Sequence, residues 1–285
     1  MARPLLLWLY RAVVFPERIL RYLLERPFSS LVRTARFGLR EAMVFSSSVD
    51  QWLRYSAIAE AIKNAGRQNL TLLDLGAGGS GIGFFLDRAR YRVCVLDRDW
   101  SRLHSAPLRQ SLWVVVADAC ALPFASDSFD VVVSSDNLEH IAPDRRPDYY
   151  RECRRVARRK VLLHVPTTDE TGTFCGDYYD RKFQDLYRRT TGIEEANIAE
   201  HLRNGLPTIR DLRAAFPGAN LTGWQGGEAW FQYMVMERIP YIRLGAGIFY
   251  LLFHRGRELR PPFYSCILSW EKPGQPAVAG RGAEA

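Results

Sequence analysis

The sequence is short of the features that would place it in several large classes of protein. Cysteine is sparse: Cys94, Cys120, Cys153, Cys175 and Cys266 are scattered along 285 residues and never form a CxxC pair. That excludes a disulfide framework and a cysteine zinc site; a reducing cytoplasm is expected, and no metal is called for. Long apolar runs are also missing. Arg11 interrupts the first, and Leu244 to His254 falls well short of the roughly 20 residues of a membrane-spanning helix. The run Pro4 to Tyr10 is at the short limit for a secretory signal, and Arg11 follows it without a small-residue cleavage site. No ordered stripe of basic and aromatic residues marks a nucleic-acid surface, so nucleic acid is not an expected partner.

What is present is a globular composition, 47% hydrophobic and 25% charged, with a net charge of +8 that comes almost wholly from arginine. Eight arginines against three glutamates fall in the first 45 residues. There Leu5, Trp8, Leu9, Ala12 and Val13 follow helical spacing, and Ile19, Leu20, Leu23 and Leu24 repeat it after Pro16. Residues 1–47 therefore read as a basic amphipathic helical extension that either lies on an anionic membrane or packs on the domain behind it. An apolar segment at about 239–254, flanked by Arg238, Arg243, Arg255 and Arg257, offers the same two options. Residues 273–285, rich in Gly, Pro and Ala, read as a disordered tail.

Between these lies one domain, residues 48–272. Ser48 and Gln51 form a capping-box pattern for a helix running to about Ala65 and closed by Gly66. A buried strand, Leu70 to Leu75, breaks into Gly76, Gly78, Gly79 and Gly81, and a helix is expected over Ile82 to Arg88. Further strands follow at Arg92–Asp97, Trp113–Asp118, Ser128–Asp136 and Lys160–Val165, with a helix from Asp148 to Ala157 before the last of these. Continuous β-branched runs alternating with helices mean a parallel sheet covered on both faces. The pattern then loosens over about 167–208 into an irregular segment expected to shape a substrate pocket. A helix at Thr208 to Phe216, a strand near Leu221 to Trp224 and a final strand at Phe263 to Trp270 complete the domain.

Ligands of an open parallel sheet bind beyond the carboxyl ends of its strands, and here those ends carry Asp74, Asp97, Asp118 and Asp136. Asp97 suits two ribose hydroxyls, being acceptor-only when ionised, and Asp118 suits an adenine amine with the Ala119 backbone on the ring edge.

These motifs resemble those of the class I S-adenosylmethionine-dependent methyltransferases, in the subgroup with an Asp-Ala-x-x-Leu-Pro-Phe pattern. Leu73-Asp-Leu-Gly-Ala-Gly78 is similar to the first motif, Val95-Leu-Asp97 to the second, and Ala117 to Phe124 with Asp127 to Val132 to the third and fourth. The resemblance implies a Rossmann-like, doubly wound, seven-stranded and mostly parallel sheet with an antiparallel last strand. It also implies S-adenosyl-L-methionine held by Asp74, Gly76, Ala77, Gly78, Asp97, Arg98, Asp118, Ala119 and Asn137. Methyl transfer from a sulfonium is an in-line displacement, so the protein supplies orientation and, for a hydroxyl acceptor, a base. His140 and Glu139 are the first candidates for that base and His201, preceded by Glu200, the next; His164, inside a strand, reads as core. The expected acceptor is a small molecule or a lipid-linked or glycan-linked one, met at the inner face of a membrane. A nicotinamide-dependent oxidoreductase would explain Gly76, Gly78, Gly81 and Asp97 but leaves Asp74, Asp118 and the Leu-Pro-Phe turn without a role. A non-catalytic membrane- or partner-binding scaffold is the third reading.

Overall fold

The structure, a computed structural model, describes residues 49–67, 69–78, 81–87, 89–104, 113–238 and 259–274. The helices expected in 1–47, the cap at Ser48, the apolar segment at 239–254, the loop residues Gly79 and Ser80, and the tail from 275 lie outside them.

Seven strands form one sheet: β1 (Leu70–Leu75), β2 (Tyr91–Asp97), β3 (Trp113–Val116), β4 (Phe129–Ser135), β5 (Ala157–Pro166), β6 (Asn220–Gly226) and β7 (Phe263–Glu271). Their order is β3-β2-β1-β4-β5-β7-β6. All pairings from β3 to β5 are parallel, and β7 is inserted antiparallel between β5 and β6, with Leu163 opposite Leu268 and Leu221 opposite the same residue. This is the Rossmann-like sheet expected from the motifs.

The central strands are mostly apolar because both faces are covered. Leu73, Leu75, Leu96, Val132 and Leu163 pack on one side against α3 (Arg146–Val156) and α6 (Ile209–Ala215), through Tyr149, Cys153 and Leu212. Leu72, Val93, Val95, Val131 and Leu162 pack on the other against Ile58 and Ile62 of α1 (Val49–Asn64). The two sets alternate along each strand, as the twofold pleat requires. Each fully buried Leu or Ile contributes about 1.5–3 kcal/mol. Thr208 caps α6 reciprocally, accepting from the Asp211 amide at 3.1 Å while Asp211 accepts from its own at 3.2 Å.

Three expectations need correction. The helix foreseen over Ile82–Arg88 is a single 3-10 turn, Ile82–Phe84. Asp74 Oδ2 takes the Ile82 amide at 2.5 Å, tying the start of the segment to the sheet, and Tyr91 opens β2 soon after. Strand β3 ends at Val116, opposite the last residue of β2, so Asp118 stands two residues beyond it in an exposed turn. The segment 167–208 is not irregular: it holds α4 (Gly176–Thr191) and α5 (Ala196–Asn204). Their inward residues, Tyr179, Phe183 and Ile198, are few and largely aromatic, and they pack with Trp230, Tyr233 and Met234 of α7 (Gly227–Arg238) in a cluster of their own beside the sheet. A short helix, α2 (Trp100–His104), follows β2. Among the described residues no helix is long and apolar enough to cross a membrane.

Candidate active site

The carboxyl ends of β1, β2, β3 and β4, with helices α5 and α7, line a cavity of about 760 Å³. Its sheet side is the glycine loop. Gly76, Gly78 and Gly81 have φ of 68°, 55° and 58°, which side-chain-bearing residues rarely adopt. Each glycine has a distinct reason. A Cβ on Gly76 would run into the Asn137 side chain, and one on Gly81 would sit 2.6 Å from Asp74 Oδ2. At Gly78 a Cβ would meet nothing within 4 Å, because that position faces the open cavity.

Asp74 is wholly buried behind this loop and does not line the cavity. Burial pushes its carboxyl up to about 7, with the bond from the Ile82 amide working against the rise. The other residues expected at a cofactor all meet on the cavity wall: Gly76, Ala77, Gly78, Asp97, Arg98, Asp118, Ala119 and Asn137. Asp97 is buried, and its two oxygens accept from the amides of Gly78 at 3.1 Å and Asp99 at 2.9 Å, leaving further lone pairs for a ligand. Asp118 accepts from the Cys120 amide at 2.8 Å and from Arg145 at 2.9 Å, which hold its carboxyl below the usual range. Asn137 Nδ2 has no hydrogen-bond partner among the described residues. A void at a glycine, two acceptor carboxylates and a spare amide donor suit a polar ligand carrying hydroxyl, amine and carboxylate groups, as S-adenosylmethionine does.

The opposite wall is built around two histidines. His140 lies in the 3-10 turn Leu138–His140 after β4, and His201 in α5. His140 Nδ1 is 2.7 Å from Glu200 Oε2, and His201 Nδ1 is 3.1 Å from Asp180 Oδ2. An ionised carboxylate only accepts, so each Nδ1 carries the hydrogen and each Nε2 is left facing the other, 3.4 Å away. Tyr264 donates to Asp180 Oδ1 at 2.8 Å and stacks on Trp230 with ring centroids 3.6 Å apart. Glu139 is 0% exposed, its Oε1 stands 3.9 Å from His201 Nε2, and neither of its carboxylate oxygens has a hydrogen-bond partner among the described residues. Burial and the nearby Asp136 charge push Glu139 up to about 8. Burial disfavours charge on His201, but Asp180, Glu139 and Asp136 outweigh it and raise the group to about 9. Burial and the His201 charge lower His140 instead, against the pull of Glu200.

The structure thus gathers Glu139, His140 and His201, which the sequence singled out one by one. His164 is core, as expected, but is also wired to the site: its Nδ1 is 2.7 Å from Asp136, which pairs with Arg54 Nε at 3.0 Å, and its Nε2 is 2.8 Å from Ser265 Oγ. Asp180, Tyr264 and Arg54 were not foreseen. Nothing in the Tyr- and Arg-rich stretch around Asp180 marks one acid above its neighbours, and Arg54 comes from a helix 82 positions before its partner Asp136.

Residues 73–165 match the methyltransferase domain family. The chain is 32% identical over 178 residues to an uncharacterized methyltransferase of Mycolicibacterium vanbaalenii, spanning 55% of this chain and 69% of that protein. It is 39% identical over 110 residues to the ubiquinone/menaquinone biosynthesis C-methyltransferase UbiE of Paracoccus denitrificans, spanning 35% of this chain and 43% of that protein. A solved structure of Haemonchus contortus phosphoethanolamine N-methyltransferase 2 in complex with S-adenosyl-L-methionine is 18% identical, with a TM-score of 0.49 over 76% of this chain and 52% of that one. The strand order, the cavity at the strand ends and the relatives converge: the chain belongs to the class I S-adenosylmethionine-dependent methyltransferases.

Proposed function

We propose that the methyl acceptor is a phenol or quinol whose hydroxyl enters the chamber between the glycine loop and helices α5 and α7. The observation that carries this reading is the pair His140 and His201, each imidazole oriented through Nδ1 by a carboxylate and presenting Nε2 within the cavity wall. S-adenosylmethionine supplies a methyl group already activated by its sulfonium leaving group. The chain's own residues provide position and handle the acceptor's proton.

On this reading the backbone at Gly76, Ala77 and Gly78, with Asn137, holds the amino-acid end of the cofactor. Asp97 accepts from its ribose hydroxyls with Arg98 beside it, and Asp118 and Ala119 meet the adenine edge. Asp74 acts through the loop it props. His140 takes the acceptor's proton as the methyl transfers, and His201, fixed by Asp180, stabilises the developing oxyanion together with the donors around it. The stacked Trp230 and Tyr264 give an aromatic ring a matching wall. A phenolate is nucleophilic at oxygen and at ring carbon, so the C-methylation in the name of the Paracoccus relative requires the same proton removal. The basic residues 1–47 and the apolar segment 239–254 support a lipid-borne acceptor met at an anionic membrane face, and the Asp118 to Phe124 loop supports placement in the subgroup bearing that motif.

The test is S-adenosylhomocysteine release with a panel of quinols, simple phenols, aliphatic alcohols and amines. Turnover with the phenolic members is expected; turnover confined to amines would contradict the reading.

A further inference from the structure

We propose that Glu139, His140 and His201 form a binding site for one divalent transition-metal ion. One ligand atom from each residue lies within 4.8 Å of the other two, with Nε2 to Nε2 at 3.4 Å and His201 Nε2 to Glu139 Oε1 at 3.9 Å. Ligands about 2.0–2.1 Å from a tetrahedral ion are separated by roughly 3.3–3.4 Å, so a contraction of under about 1.5 Å closes the set.

The surroundings match what such a site needs. Both imidazoles hand their Nδ1 hydrogens to carboxylates, Glu200 and Asp180, the arrangement that fixes the tautomer and aims Nε2 at a metal. Asp180 is itself held by the Tyr264 hydroxyl. With both Nδ1 hydrogens committed, the opposed Nε2 lone pairs can be reconciled by one proton or by one cation between them. The independent sign is Glu139: a carboxylate with no exposure and no hydrogen-bond partner among the described residues, 3.9 Å from His201 Nε2, is costly as an anion unless a proton or a cation meets it. Two imidazoles and one carboxylate suit ions of the zinc, cobalt or iron(II) class, and such three-ligand sets leave positions open. Glu139, His140 and His201 all line the chamber. The inference rests on the acceptor reading in one respect only: an acceptor oxygen would bind at an open position of the ion, and with His140 Nε2 then a ligand the ion, rather than His140, would make that hydroxyl acidic.

The test uses the untagged full chain, stripped with chelator and dialysed, titrated with Co²⁺ and followed by its visible ligand-field absorption, with Zn²⁺ as competitor. One equivalent should bind with a saturating spectrum that Zn²⁺ displaces. E139Q and H140Q should each weaken binding by about 100-fold or more, D180N by about 10–100-fold, and C175S, which removes the partly exposed thiol, should leave it unchanged. Circular dichroism melts of each variant confirm folding. Absence of a saturating spectrum, or binding that E139Q and H140Q leave intact in folded protein, overturns the site. Turnover of the same samples with the acceptor panel separates the two readings: phenolic turnover without a Co²⁺ spectrum removes the metal site and keeps the acceptor reading, and a saturating Co²⁺ spectrum with turnover confined to amines does the reverse.

Discussion

His140 Nε2 and His201 Nε2 face each other at 3.4 Å, and the carboxylates behind them are crossed: Glu200, the neighbour of His201 on α5, holds His140, while Asp180 of α4 holds His201. The 3-10 turn after β4 and both helices are therefore joined through the two rings, and α5 cannot shift without loosening both.

Replacing His140 removes the ring that faces the acceptor while leaving the glycine loop and Asp97 in place. H140A should lower methyl transfer by about 10²–10⁴-fold, the usual range for a lost general base, with cofactor affinity within about twofold of wild type. Calorimetric titration with S-adenosylmethionine, run beside turnover with the best phenolic acceptor, measures both; equal losses in the two would assign the residue to cofactor binding instead.

Asp74 gives stability a pH dependence of unusual sign. Its folded carboxyl is raised to about 7, whereas in the unfolded chain it titrates near 3.9. Between those values the native state binds a proton that the unfolded state does not, so stability falls as pH rises from about 4 to about 7, by at most roughly 1.4 kcal/mol per pH unit, and is flat above. In D74N this component should vanish. Denaturant unfolding of cofactor-free protein at several pH values gives the difference directly; parallel curves for the two proteins would remove the assignment.

Asp130 stands at the other end of the sheet, away from the cavity. It accepts from the amide and hydroxyl of Thr71 at 3.0 and 2.9 Å and pairs with Arg158 and Arg159 at 3.1 and 3.2 Å. Losing these bonds to a buried carboxylate should cost D130A about 2–4 kcal/mol in chemical unfolding, with cofactor affinity unchanged in the folded fraction. A stable D130A with impaired cofactor binding would contradict this purely structural role.

Strand positions were legible because apolar β-branched runs have few other ways to be buried, and the residues expected at a cofactor meet on one wall because they lie in consecutive strand-end loops. Leu70–Leu75 is found as read, and Gly76, Gly78, Asp97, Asp118 and Asn137 share one wall. What could not be read depends on long-range packing. The weak aromatic stripe Tyr179 and Phe183 hid α4, and a carboxylate at a strand end looked like a ligand group although Asp74 turned inward to the Ile82 amide. The cluster of Glu139, His140 and His201 joins residues some 60 positions apart, which no local spacing announces.

The central claim is that the strand-end cavity holds S-adenosylmethionine with Asp97 on its ribose. Equilibrium binding of the cofactor to the full chain tests it most directly, with D97A as the comparison. Wild type should bind one equivalent, and folded D97A should bind at least about tenfold more weakly; equal affinity in the two proteins, or no binding to wild type, would contradict the account.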